Sequence, residues 1–81
     1  MKIEIDTVIV AIINIGLIFM DENQVDLAIE QFVKGIKLNA SDDLLNNLGL
    51  AYQRKYEFTK SIDQYKLSLI KNPLLLNPLL S

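Results

Sequence analysis

Cysteine and histidine are both missing from this 81-residue chain, and tryptophan is missing with them. Without thiols there is no disulfide, no thiolate nucleophile and no thiolate metal ligand. Without imidazole the usual general base of neutral pH is gone, and so are the common zinc sites. Catalysis by a pair of carboxylates survives these losses, but its acids need a walled pocket that so short a chain has little material to build. We therefore expect no enzyme, no cofactor and no metal. The lack of cysteine leaves the redox compartment open.

Concentrated charge is missing too. Eight basic and ten acidic residues give a net charge of −2, and no five like charges run together. Capture of a phosphate backbone needs a basic stripe that releases counterions, and the nearest approach here is the pair Arg54 and Lys55. Nucleic acid is therefore not an expected partner. A long apolar run is also lacking. Val8 to Met20 carries no charge, but its 13 residues, with Asn14 among them, fall short of the roughly 20 that span hydrocarbon. Lys2 is outweighed by Glu4 and Asp6 in the residues before it, the reverse of the basic start of a signal peptide. These features weigh against a membrane span or a secretory leader, and a cytoplasmic protein is expected.

What the chain does have is apolar content. At 51% apolar and 22% charged residues it matches an ordinary globular protein and not a disordered one. A chain of this length buries only about 60% of the surface it exposes when unfolded, so its stability alone is marginal.

The apolar residues repeat. Sliding the chain along itself until Gly16 lies on Gly49 also lays Ile12 on Leu45, Ile15 on Leu48 and Leu17 on Leu50. The same shift pairs Phe19 with Tyr52, Ala28 with Ser61, Phe32 with Tyr65 and Asn39 with Asn72. Identities are few, but size and polarity agree where packing demands it. Within each unit the apolar residues recur at steps of three and four, the spacing that gathers side chains on one helical face. Four helices are predicted, at roughly 7–20, 25–38, 42–55 and 58–71. Asp6 is the candidate cap of the first, Ser41 and Asp42 of the third. The last carries a stripe of Phe58, Ile62, Tyr65 and Leu69 and stops before Pro73. Links of a few residues force antiparallel hairpins, and the two hairpins then stack. The fold class is all-α, a single domain with one repeat at about 9–41 and another at about 42–75. Residues 76–81, with Asn77 before Pro78, read as the opening of a further helix.

These residues resemble the tetratricopeptide repeat, whose pattern is W-x₂-L-G-x₂-Y, then A-x₃-F, then P. Leu45-x₂-Leu48-Gly49-x₂-Tyr52, Ser61-x₃-Tyr65 and Pro73 follow it in the second unit. Ile12-x₂-Ile15-Gly16-x₂-Phe19 and Ala28-x₃-Phe32 follow it in the first. The small residues Gly16 and Gly49 are expected to face Ala28 and Ser61, letting each pair of helices approach, with aromatics filling the gap beside them. The chain departs from the pattern in having an aliphatic residue in place of the Trp, Ala40 in place of a Pro, and a period of 33 in place of 34. The shorter period falls on the link around Asn39 to Ser41.

The resemblance implies a scaffold that binds another protein or a peptide in a concave groove lined by the first helix of each hairpin. On this chain the groove positions are Val10, Ile13, Leu17 and Met20, then Asp43, Asn46, Asn47, Leu50 and Gln53. The carboxylate clamp by which some such proteins grip a chain terminus is absent. Only Asn47 matches it, and Ile13 and Leu17 stand where Lys and Asn are needed. The first helix is apolar nearly all round. Its own hairpin is expected to cover Ile12, Ile15 and Phe19, leaving Val10, Ile13, Leu17 and Met20 open. Two alternatives to the groove follow. The stripe is structural, buried by another copy in a homo-oligomer or by a further segment, or it associates with a membrane surface together with the C-terminal leucines.

Overall fold

The computed structural model describes residues 4–71. They form four helices: α1 (Ile5–Asp21), α2 (Val25–Leu38), α3 (Asp42–Arg54) and α4 (Phe58–Lys71). No strand occurs among the described residues. The expected stop at Pro73 and the helix start at 76–81 lie outside them.

Local chemistry explains the ends. Ser41 caps α3, its Oγ accepting from the Leu44 N–H at 3.3 Å, and Asp42 and Asp43 place negative charge on the positive end of the helix. The start of α1 corrects expectation. Its cap residue is Glu4, whose side chain makes no capping bond, while its carbonyl accepts from the Thr7 N–H at 3.1 Å. Asp6 lies inside the first turn, where it complements the helix dipole without capping.

The turns that close the two hairpins are the same structure made twice. Asn23 has φ 62° and Tyr56 has φ 63°, both in the left-handed region and each at the same place in its own unit. Around them the Gln24 N–H donates to the Phe19 carbonyl and the Asn23 N–H to that of Met20. The Glu57 N–H donates to Tyr52 and the Tyr56 N–H to Gln53 in the same pattern. This is the Schellman helix stop, which turns the chain back on itself and satisfies the terminal carbonyls. The left-handed residue is most often glycine and sometimes asparagine, so Asn23 suits its place and Tyr56 sits there under strain.

α1 packs against α2, α2 against α3, and α3 against α4, with a smaller contact between α1 and α3. Two antiparallel hairpins are thus joined through α2 and α3. The core is Ile9, Met20, Ala28, Phe32, Leu44, Leu48 and Ala51. Close helix approach comes from glycine, though not quite as expected. The nearest neighbour of Gly16 is the Phe32 ring, which a Cβ there would meet at 2.4 Å. Gly49 lies under the Tyr65 ring, and its carbonyl accepts from Ser61 Oγ at 2.8 Å. A third glycine, Gly35, makes the junction between the hairpins. A Cβ there would fall 2.8 Å from Leu44 and 3.3 Å from Ile12.

The apolar stripe expected to bury α4 is only partly covered. Tyr65 and Leu69 are half-buried, but Phe58 and Ile62 are exposed. Their counterparts in the first unit, Val25 and Ile29, pack against the core. α2 lies between α1 and α3, whereas α4 touches only α3 among the described helices.

Candidate interaction surface

The proposed groove residues separate into two kinds once placed. On α1, Val10 and Leu17 are exposed, at 57% and 38% of their full accessibility. Ile13 is partly buried against the core. Met20, expected to be open, is buried at 4%. It ends α1 beneath the end of α3, and Arg54 reaches over it to donate from Nη1 to the Met20 carbonyl at 2.9 Å. The open part of the stripe is therefore Val10 and Leu17 with one flank of Ile13, about two helical turns along one face.

α3 presents a polar continuation. Leu50 is exposed and occupies the position of Leu17 in the second hairpin. Around it lie Asp43 and Gln53, both exposed, and Asn46 and Asn47, both half-buried. Asn47 Nδ2 donates to the Asp43 carbonyl at 2.9 Å, a bond within the helix that occupies one of its two amide protons. Gln53 Oε1 accepts from the Tyr65 hydroxyl at 3.4 Å, tying α3 to α4.

A charged strap joins the hairpins beside this surface. Besides its bond to Met20, Arg54 places Nη2 3.4 Å from Asn23 Oδ1 in the first turn. The Lys55 ammonium pairs with Asp26 and lies 3.7 Å from Glu57. The hydrogen bond to Asp26 is the main cause that raises the Lys55 pKa above its ordinary 10.5. Glu57 also holds Lys60 at 3.2 Å, and the Lys60 ammonium stands 5.6 Å from the Tyr52 ring centroid.

Sequence reasoning missed a second exposed apolar face on α1. Ile15 was expected to lie under its own hairpin, but it is 44% exposed, and Ile18 one turn on is 55% exposed. The first hairpin has no described helix on that side, so the position that is core in the second hairpin is surface in the first. Gly35, Arg54 and the strained Tyr56 were also not foreseen as junction and turn residues. The shift that lays Gly16 on Gly49 also pairs Gly35 with Ser68 and Asn23 with Tyr56, and it held the signal for two of them.

Among the described residues no cavity is enclosed, and no three side chains able to hold a metal ion gather together. No described helix is long and apolar enough to cross a membrane. No family model matches the chain, and no characterised protein or solved structure matches it.

Proposed function

We propose that this chain is a protein-interaction module of tetratricopeptide-like kind, which takes an amphipathic partner helix across α1 and α3 and catalyses nothing. The observation that carries the reading is the division of that surface. Val10 and Leu17 offer exposed aliphatic side chains on α1, Leu50 continues them on α3, and Asp43, Asn46 and Gln53 form a polar border. An amphipathic helix presents the complement, with spaced aliphatic anchors along one face and polar residues at its edge. The exposed Asp43 favours partners with a basic residue at that edge.

The test is selection from a library of helical peptides with aliphatic residues at every third and fourth position, followed by titration of the selected peptides. Leu17→Lys or Leu50→Lys should weaken binding at least tenfold, and Ile15→Lys, on the other side of α1, should not. Failure to select any peptide, or binding indifferent to both leucines, would remove this reading.

A further inference from the structure

The junction between α2 and α3 is a template, and the first and last described helices carry counterparts of its two halves. On α3 the docked face is Leu44, Leu48 and Ala51, buried at 0%, 3% and 0%. One repeat earlier, the same places on α1 are Ala11, Ile15 and Ile18, and all three are exposed. On α2, Gly35 lies against Leu44, and Val25, Ile29, Val33 and Ile36 pack against the core. The counterpart of Gly35 on α4 is the buried Ser68, and those of the other four are Phe58, Ile62, Lys66 and Leu69, of which the first three are exposed.

We infer that a second copy of this chain docks Ala11, Ile15 and Ile18 of its α1 onto Phe58, Ile62 and Leu69 of α4, head to tail, repeating the α2–α3 junction between molecules. This goes beyond the groove, because it uses a different flank of α1 from Val10 and Leu17. Three observations favour a copy over an unrelated partner. The interface already exists once inside the chain, so its geometry needs no new invention. Both halves are present on one molecule, on α1 and α4, and these helices make no contact with each other.

A contact between two different faces does not close as a two-fold dimer does; it propagates head to tail beyond two molecules, into open chains or, where the rotation per step closes, into rings. The measurement is solution mass across a wide concentration range, on the full chain and on two variants at exposed positions, Ile15→Lys and Ile62→Lys. The wild type should grow past two chains. Each variant, with its helicity checked by circular dichroism, should stay at the mass of one chain because one end is blocked. An equal mixture of the two should give a species of two chains, joined through the pair of intact faces. A wild type that stays monomeric, a closed wild-type dimer, a variant that still grows, or a mixture that stays at one chain would each overturn the inference. Leu17→Lys should leave the growth unchanged, so loss of the groove and loss of this junction are separable.

Discussion

Ile15 and Leu48 occupy the same place in two hairpins of the same design, and one is 44% exposed while the other is 3% exposed. Nothing in the residues explains the contrast, since both are aliphatic and both lie on the apolar side of a helix. The neighbour explains it. α3 has α2 beside it and α1 has no described helix in the corresponding place. A similar contrast separates Phe32, completely buried, from Tyr65, half-buried. In a repeat structure burial belongs to the position within the array as much as to the side chain.

The most disruptive way to probe this comparison is at the aromatics. Phe32→Ala removes a ring enclosed by both hairpins and should destabilise by about 3–5 kcal/mol, enough to unfold a domain of marginal stability. Tyr65→Ala should cost clearly less, because its site opens to solvent and relaxes. Chemical denaturation of both variants checks this, and equal losses would contradict the asymmetry.

The glycines should show a smaller contrast of the same kind. Gly16→Ala drives a methyl to within 2.4 Å of the enclosed Phe32 ring, and we expect a loss of about 1–3 kcal/mol after any gain in helix propensity. Gly49→Ala meets the Tyr65 ring at 3.0 Å. That ring is half-buried and has room to give, so overpacking and propensity should offset one another to within about 1 kcal/mol.

A third substitution would make the two turns alike. Tyr56→Asn places in the second turn the residue type that the first already uses, and should stabilise by about 1 kcal/mol, a rise of about 4–8 °C in Tm. A fall in Tm would mean that the edge-on contact of Tyr56 with Phe58, at 6.1 Å between ring centroids, outweighs the backbone strain.

The smallest effect is expected at the charged strap. The Lys55 pKa is raised in the folded state, so the stability it lends is complete below its unfolded value of 10.5 and is lost as pH rises through the higher folded value. Lys55→Gln should flatten the alkaline limb of the stability curve above that point and leave neutral-pH stability nearly unchanged, because the pair is exposed to solvent. An unaltered alkaline limb would show that the bond to Asp26 does not hold in solution.

The helices were legible in the sequence because three- and four-residue spacing depends only on the chain itself. Their four spans matched the expected ones closely at each end, and the hairpin arrangement followed from the short links. What was not legible depends on neighbours. The stripe on α4 was visible as a stripe, but periodicity does not say that something lies against Phe58 and Ile62. Met20 was expected in the open because its own hairpin offers it no cover, yet Arg54 at the end of α3 reaches over it and bonds to its carbonyl. Asp6 looked like a cap because the residue type is right, while the backbone enters the helix earlier, at Glu4. Val10, Leu17 and Leu50 are exposed, and Ile13 is partly buried against the core.

The order of contacts, α1 with α2, α2 with α3 and α3 with α4, also bears on how quickly the chain finds its fold. Most packing joins segments close in sequence, so few long loops must be closed before contacts form, and folding times on the order of microseconds to milliseconds are expected. The bond from Arg54 to the Met20 carbonyl spans 34 residues, far more than any turn. It is a late fastening, formed only after both hairpins exist, and its removal should quicken unfolding while leaving the folding rate almost as it was.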